Sequence, residues 1–231
     1  MIYNMTLRLQ ALLECMGKCK VLADIGTDHA YLPIEACRKN LCEKAIACDI
    51  AAGPLKIARA NIKEAALENR VETRLGDGLL PLGENEADCI VIAGMGGKRI
   101  IEILEKEPKK AGLYENAKLI LQAQHDLEEL RRFLHSQMYN ILEERLVRER
   151  GKFYVIIVAK KEIQRINSWS DAEYFLGKIA NSQELLSYYQ DTEAKIRRYI
   201  NSISNEIDRK TAETRLEWLQ VRYKCLKEEH K

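Results

Sequence analysis

The stretch Val21-Leu22-Ala23-Asp24-Ile25-Gly26-Thr27-Asp28-His29-Ala30-Tyr31-Leu32-Pro33 decides the fold of this 231-residue chain. Its apolar first half ends in Asp-x-Gly, and the residues after the glycine open a helix. A strand that passes through a glycine turn into a helix is how a doubly wound α/β sheet presents a nucleotide-like ligand. The glycine allows the backbone to approach that ligand, and the Asp24 carboxylate can accept hydrogen bonds from a ligand amine or hydroxyl.

The loop differs from the dinucleotide fingerprint G-x-G-x-x-G at both of the later glycines. Asp28 and Tyr31 stand where the second and third glycines would be. Because a carboxylate repels a diphosphate, the sequence disfavours NAD and FAD. A cationic ligand, such as the sulfonium of S-adenosylmethionine, suits the loop better, and we expect Gly26 and Thr27 to lie against it.

Segments typical of strands and of helices alternate over the first two thirds of the chain. The predicted strands are 21–25, 45–50, 71–75, 89–93 and 118–121, and the predicted helices are 6–16, 32–40, 53–66, 98–105 and 126–137. This alternation predicts βαβ units and a parallel sheet that is buried on both faces.

Two further strand-like runs, 141–150 and 152–160, are separated only by Gly151. So short a connection gives an antiparallel hairpin. Five parallel strands closed by an antiparallel hairpin form the Rossmann-like α/β sheet of class I methyltransferases, whereas dinucleotide-binding folds end in a sixth parallel strand. The strand pattern is therefore a second argument for S-adenosylmethionine.

From about residue 162 the chain becomes helical. The segment Ser170-Asp171-Ala172-Glu173 fits a capping box, and apolar residues then recur at spacings of four and three. They are Leu185, Tyr189, Thr192, Ile196, Tyr199 and Ile203, followed after a polar break near 208–214 by Leu216, Leu219, Tyr223 and Leu226. The pattern predicts a C-terminal α-helical coiled-coil domain folded as an antiparallel hairpin. We divide the chain into a cofactor-binding domain, 1–161, and a coiled-coil arm, 162–231, which serves either dimerisation or the grip on a large substrate.

Composition excludes several classes of function. The net charge of +2 gives no overall field for a polyanion, so contact with nucleic acid must come from a local patch such as Lys195, Arg197 and Arg198. The seven cysteines contain no C-x-x-C pair and accompany only four histidines, so we expect no metal site. No apolar run approaches the roughly 18 residues of a membrane span, and the first residues do not resemble a secretory signal. We expect a cytoplasmic protein without membrane contact, either a monomer or a weak dimer.

Carboxylates end or follow the first three predicted strands. Asp49 ends the second, where an acidic residue accepts hydrogen bonds from both ribose hydroxyls of an adenosine cofactor. In Gly76-Asp77-Gly78 the Asp77 carboxylate can reach the amine of the adenine, with Gly78 beside it. The alternatives are a helix cap for Asp49 and a plain Asp-Gly turn for Asp77.

The segment Ala93-Gly94-Met95-Gly96-Gly97 follows the fourth predicted strand, where cofactor and acceptor should meet. Because its glycines let the backbone come close to a reacting centre, Ala93, Gly94 and Gly96 are predicted to contact the cofactor and Met95 the reacting groups. The sequence has no acidic or amide residue followed by Pro-Pro and an aromatic residue here, so methylation of an exocyclic amine loses support. A tight turn without catalytic role is the alternative.

Three polar or aromatic residues after the first strand are candidate catalytic groups. Asp28 can stabilise a cation that forms on the acceptor, and His29 is either a proton carrier or a helix cap. Tyr31 either stacks on a flipped base or fills the core.

Three segments in order resemble the bacterial tRNA (adenine(22)-N1)-methyltransferase family, known as TrmK. They are residues 23–33, residues 92–97 (Ile-Ala-Gly-Met-Gly-Gly) and residues 119–122 (Leu-Ile-Leu-Gln), and the resemblance covers about the first 160 residues. The helical tail is similar to the C-terminal coiled-coil domain of that family in placement and length. The resemblance implies S-adenosylmethionine as cofactor, tRNA as substrate, N1 of an adenine in the D-arm region as target, and a role for Gln122 in holding the base.

The chain departs from the family pattern after the fifth and second strands. Members usually have Gln-Pro-Asn or Gln-Pro-Gln where this chain has Gln122-Ala123-Gln124, and some have Gly-Glu-Val where it has Cys48-Asp49-Ile50. The second change keeps the carboxylate. The leading hypothesis is in-line methyl transfer to adenine N1. The alternatives are a methyltransferase acting on a protein or small molecule, and a non-catalytic RNA-binding relative.

Overall fold

The structure is a computed structural model that describes residues 5–106, 116–162, 169–180, 182 and 184–229. The chain forms two compact units, Met1–Asn167 and Ser168–Lys231. The predicted domain boundary, after residue 161, lies a few residues before the division between these two units. It stays a prediction because residues 163–168 lie outside the described ranges.

One seven-stranded sheet forms the centre of the first unit, in the order β3-β2-β1-β4-β5-β7-β6. The parallel strands are β1 (Val21–Ile25), β2 (Lys44–Asp49), β3 (Val71–Leu75), β4 (Cys89–Met95) and β5 (Lys118–Ala123). Strands β6 (Tyr139–Glu149) and β7 (Lys152–Lys161) form a hairpin whose β7 is antiparallel to β5. The prediction of five parallel strands closed by an antiparallel hairpin is confirmed.

Among the described residues of the first unit, one helix precedes β1, three lie in connections between parallel strands, and one joins β5 to the hairpin. They are α1 (Leu7–Met16), α2 (Tyr31–Arg38), α3 (Ala52–Glu64), α4 (Gly97–Glu105) and α5 (Leu127–Ser136). Leu22, Val91 and Ile120 share one core cluster with residues of α1, α2 and α3. Side chains alternate across a strand, and Ile90 and Ile92 on the opposite face are equally buried. The sheet is therefore covered on both faces, as its nearly continuous apolar strands predict.

The hairpin turn and the end of β4 show two local backbone features. Arg150 and Gly151 both have positive φ, the conformation of a two-residue turn that matches the twist of antiparallel strands. Strand β4 continues to Met95, beyond the predicted end at residue 93, so Gly94 and Met95 belong to the strand and the alternative of a tight turn is wrong for these two residues. A register shift against β5 lies between Ala93 and Met95, and Gly94 has a φ of 80°. Such a bulge re-aims the end of the strand.

The second unit contains three helices within its described residues, α6 (Asp171–Leu176), α7 (Leu185–Ser202) and α8 (Glu206–Glu229). Ser170 and Glu173 form the predicted capping box. Gln190 Nε2 donates to Tyr223 Oη at 2.8 Å and Gln220 Nε2 donates to Glu193 Oε1 at 3.2 Å, which shows that α7 and α8 run antiparallel. The coiled-coil seam itself stays a prediction.

The polar break predicted near 208–214 is wrong. These residues lie inside α8, and the connection between α7 and α8 is residues 203–205. The helix begins early because Asn205 Oδ1 accepts the Ile207 N–H at 2.9 Å, and most of the polar side chains in 208–214 are exposed.

Candidate functional site

Backbone hydrogen bonds join the carboxyl ends of the first three strands. The N–H groups of Gly26 and Thr27 both donate to Cys48 O at 2.9 Å, and the Gly76 N–H donates to Asp49 O at 2.9 Å. Gly26 has a φ of 73°, and a Cβ atom there would lie 2.3 Å from Met95 Cε. The loop after β1 thus requires glycine at the position that the sequence singled out.

Two cavities open at this edge of the sheet. The rim cavity, of about 530 Å³, is lined by the ends of β1 to β4, by α4 and by the loop after β5. The loop cavity, of about 320 Å³, lies between α1 and the loop after β1. Both are lined by Arg8, Gly26, Asp28, Ala93 and Gly94. A ligand and an acceptor can therefore meet at these shared residues.

Asp24 is a buried carboxylate that lines the loop cavity. Its side chain belongs to a residue that is 6% exposed, and Thr27 Oγ1 donates to its Oδ2 at 2.6 Å. Within the described part of the chain, no Lys, Arg or His pairs with it. Burial raises the pKa of Asp24 to about 6, while the Thr27 hydroxyl lowers it and the charge of Asp49 raises it further. Among the described residues, Asp24 thus carries a negative charge without a cationic partner, at the position that the sequence singled out for the ligand.

Asp49 lines the rim cavity. Its Oδ1 accepts the Ala51 N–H at 2.9 Å and its Oδ2 accepts the Asp28 N–H at 3.2 Å. Each carboxylate oxygen has two lone pairs, so both oxygens can still accept a hydrogen bond from a ligand hydroxyl. The predicted contact with a ribose fits this geometry and stays a prediction.

Asp77 also lines the rim cavity, but a cation already donates to each of its oxygens. Arg99 Nη2 donates to its Oδ1 at 2.8 Å, and Lys106 Nζ donates to its Oδ2. The hydrogen bond from Lys106, together with the charges of both cations, lowers the pKa of Asp77. The sequence prediction of a carboxylate free to meet an adenine amine did not include these pairs. Gly78 beside it lines the same cavity.

Asp28, His29 and Tyr31 come together on the loop cavity. Asp28 Oδ2 lies 3.5 Å from His29 Nε2, and the rings of His29 and Tyr31 meet edge to face at 5.4 Å between centroids. His29 Nδ1 is buried and has no hydrogen-bond partner among the described residues. The helix-cap alternative for His29 is wrong, because Ala30 holds the cap position of α2 without a side-chain hydrogen bond.

Two glutamines hold Gly94 at the end of β4. Gln122 Oε1 accepts the Gly94 N–H at 3.2 Å, and Gln124 Nε2 donates to Gly94 O at 2.8 Å. Gln122 is fully buried and does not line either cavity, whereas Gln124 lines the rim cavity beside Met95. The structure thus brings Gln124, rather than the predicted Gln122, to the site.

Two more positions differ from the sequence prediction. Gly96 caps α4 and lies against the His125 ring, and it lines neither cavity. Arg8 of α1, which sequence reasoning missed, lines both cavities, and its guanidinium lies 4.9 Å from the centroid of the Tyr154 ring. A single arginine within an amphipathic helix gives no signal that separates it from a solvated charge. Within the described ranges, no group of three His, Cys, Asp or Glu side chains can hold a metal ion.

The described helices include none that is long and apolar enough to cross a bilayer.

Comparisons with known proteins show which family the sequence matches. The sequence profile of the family described as tRNA (adenine(22)-N(1))-methyltransferase matches residues 22–228. A Bacillus subtilis (strain 168) protein named tRNA (adenine(22)-N(1))-methyltransferase is 39% identical over 153 residues, which cover 66% of this chain and 63% of that protein. The alignment therefore spans less than two thirds of the relative.

Solved structures match over a larger share. The M. capricolum TrmK, in complex with the cofactor product S-adenosyl-homocysteine, is 27% identical with a TM-score of 0.83, and the match covers 96% of this chain and 100% of that one. The B. subtilis M1A22 tRNA methyltransferase TrmK is 30% identical with a TM-score of 0.73, and the match covers 97% and 98%.

Proposed function

The chain belongs to the tRNA (adenine(22)-N(1))-methyltransferase family, and we propose that it methylates N1 of adenine 22 in tRNA with S-adenosylmethionine as methyl donor. The observation that carries the proposal is Asp24, a buried carboxylate that lines the loop cavity and has no cationic partner among the described residues. A cationic cofactor supplies the missing charge. The sheet order and the acidic rim fit the same reading.

The residues of the rim cavity fit the parts of this cofactor. Asp49 offers acceptors for the ribose hydroxyls, and Ile50 and Ile103 offer apolar surface for the adenine ring. A Cβ atom at Gly78 would lie 2.9 Å from Ile103 Cγ2, so only glycine allows the loop after β3 to pack this closely against Ile103. Arg8, at the junction of both cavities, would face the carboxylate of the methionyl group, while Asp24 would face its cationic end.

The protein has little proton chemistry to perform in this reaction. When bound, S-adenosylmethionine supplies a methyl group that the adenine N1 lone pair takes as the carbon–sulfur bond breaks and the positive charge passes to the base. No general base is required, so the chain contributes positioning and electrostatic stabilisation. The exposed Asp28 carboxylate lies where it stabilises the cation that forms on the base, and Tyr31 offers a ring for a flipped base. Met95 and the open backbone of Gly94 border the point of transfer.

We also propose tRNA as the partner, residues 1–161 as the cofactor-binding domain, a cytoplasmic location and a monomer or weak dimer. The arm, residues 162–231, either grips tRNA or serves dimerisation. The cluster Lys195, Arg197 and Arg198 supports the grip only weakly, because Lys195 pairs with Asp191 at 2.6 Å and Arg197 with Glu193 at 2.8 Å. A phosphate would have to compete with these pairs.

A methylation assay on unmodified tRNA tests the proposal. We expect 1-methyladenosine at position 22 after nucleoside analysis, and none in a tRNA with another base there. Calorimetry with S-adenosylmethionine should show binding, which separates an enzyme from a non-catalytic RNA-binding relative. The absence of methyladenine, or methylation only at N6, would overturn the proposal. Methylation of protein or small molecules without competition by tRNA would support the alternative substrate class.

A further inference from the structure

We propose that Gln124 selects adenine as the target base by presenting its side-chain carbonyl oxygen to the exocyclic amine of that base. This inference rests on the proposed function and adds a specificity-determining residue to it. The family resemblance pointed to Gln122 as the residue that holds the base. The positions of the two side chains assign the contact to Gln124.

The orientation of the Gln124 amide is fixed by the chemistry of its partner. Gln124 Nε2 lies 2.8 Å from Gly94 O, and a backbone carbonyl oxygen can only accept a hydrogen bond. The NH₂ group must therefore face Gly94, so Oε1 is the atom left for another donor. The described residues supply no hydrogen bond to Oε1. The Gln124 N–H donates to Met95 O at 2.8 Å, which fixes the backbone of the same residue.

Gly94 is a firm anchor for this amide. Gln122 Oε1 accepts the Gly94 N–H at 3.2 Å, so the peptide groups on both sides of Gly94 are held. Gly94 has a φ of 80° in the β4 bulge, and the space where a Cβ atom would stand is open. Gln122 is fully buried behind Gly94, whereas the exposed Gln124 lines the rim cavity with Met95 and Gly94. Gln122 therefore positions Gly94, and Gln124 can touch a base.

The hydrogen-bond pattern of the base supplies the selectivity. In adenine the exocyclic amine stands beside N1 and donates, whereas guanine carries an acceptor oxygen at the same place. An acceptor in the site thus attracts adenine and repels guanine. The positive charge that the base gains during methyl transfer is shared with the amine, so its hydrogen bond to Oε1 becomes stronger in the transition state. Such a contact raises kcat as well as binding.

The test compares two tRNAs, one with adenine at the target position and one with purine riboside, which lacks the amine. For the wild-type protein we expect a preference for adenine in kcat/KM. In Gln124→Met, which removes both polar atoms from an exposed side chain, the ratio of the two values should fall by about ten- to a hundredfold. In Gln124→Glu, which keeps an acceptor and loses the donor to Gly94, the preference should remain while both rates fall. Gln124→Ala repeats the methionine experiment if that variant does not fold.

Gln122→Met is the matched control, because it removes the acceptor for the Gly94 N–H without reaching the base. It should lower kcat for both tRNAs equally and leave their ratio unchanged. The calorimetric dissociation constant for S-adenosylmethionine should agree between Gln124→Met, which adds no charge to the cavity, and the wild type. If the wild-type protein does not methylate adenine, the proposed function fails and this inference fails with it. If the wild type is active and Gln124→Met or Gln124→Ala keeps the wild-type ratio, this inference alone is overturned.

Discussion

Two buried carboxylates of the first unit differ in what surrounds them. Glu144 of β6 is 1% exposed, and Arg131 of α5, equally buried, donates to it from Nε at 2.7 Å. Asp24 of β1 is 6% exposed, and among the described residues its side chain has the hydroxyl of Thr27 but no cation. Removing a charge from water costs several kcal/mol, which a well-placed opposite charge offsets. The charge of Glu144 is thus compensated within the fold, whereas the charge of Asp24 is compensated by the cationic ligand that we propose.

Glu144 serves the fold, whereas Asp24 serves the ligand that we propose. Arg131 and Glu144 join α5 to β6, far along the sheet from the rim of β1 and β2. Asp24 lines the loop cavity together with Gly26, and burial raises its pKa to about 6. A charge that the folded protein leaves uncompensated lowers its own stability, which is common where a site must bind a ligand.

The largest expected effect is on stability, through the ion pair between Arg131 and Glu144. Glu144→Gln removes the negative charge that faces the buried Arg131 guanidinium, so the free energy of unfolding should fall by about 3–5 kcal/mol. Urea unfolding measures this change. The dissociation constant for S-adenosylmethionine should stay within about threefold of the wild type, since the pair lies outside both cavities.

The double variant Arg131→Met, Glu144→Leu is the matched control. It removes both charges and should restore most of the lost stability, because apolar side chains of similar volume often replace a buried ion pair without loss. A loss of less than about 1 kcal/mol in Glu144→Gln would show that the pair is not the stabilising element described above.

Asp24→Asn should produce the opposite pattern. Loss of the charge should weaken binding of S-adenosylmethionine by about a hundredfold, measured by calorimetry, because a charged hydrogen-bonding partner is worth more than a neutral one. The ligand-free protein should become more stable at pH 7. Since the pKa of Asp24 rises from 3.8 to about 6 on folding, the native state binds more protons, and wild-type stability falls as pH rises from about 4 to 6.

The gain in the free energy of unfolding for Asp24→Asn is about 1–3 kcal/mol at pH 7. A variant that binds the cofactor as tightly as the wild type would contradict the assignment of Asp24. Asp49→Asn, which changes an acceptor for the ribose, is the comparison: it should weaken binding without the same gain in stability.

The sequence predicts some of these features and misses others for identifiable reasons. The β1 loop, Asp24 and Asp49 are readable because their spacing is dictated by a strand, a turn and a helix start. The roles of Gln122 and Gln124 are not readable, because the β4 bulge and the extra length of β5 decide which glutamine reaches the cavity. A bulge depends on cross-strand register, which the local sequence does not encode.

The sequence does not predict contacts between residues that are distant along the chain either. Asp77 pairs with Arg99 and Lys106 across two connections of the chain. Arg8 reaches the cavities from a helix that precedes β1. In the second unit, the cap at Asn205 overrides the polar composition of 208–214 and starts α8 early. Composition indicates exposure there, and exposure is compatible with helix.

Cofactor binding should depend on pH through Asp24 and not through Glu144. With a pKa of about 6 in the ligand-free protein, Asp24 is mostly ionised at pH 7 and protonated at pH 5. Affinity for the cationic cofactor should therefore fall as pH drops through 6, by about fivefold between pH 6 and pH 5. Calorimetry from pH 5 to pH 8 measures the profile. Asp24→Asn should flatten it, whereas Glu144→Gln should leave it unchanged; a wild-type profile that is flat over this range would contradict the role of Asp24.

The smallest expected effect concerns the hydroxyl that Asp24 does have. Thr27→Val keeps the side-chain shape but removes the donor to Asp24 Oδ2, so the pKa of Asp24 should rise further and the midpoint of the binding profile should move to higher pH. At pH 7 this weakens cofactor binding by about threefold. Thr27→Ser keeps the hydroxyl and should retain the wild-type midpoint. An unchanged midpoint in Thr27→Val would mean that the hydroxyl does not stabilise the charge of Asp24. The pKa of Asp24 would then not depend on Thr27.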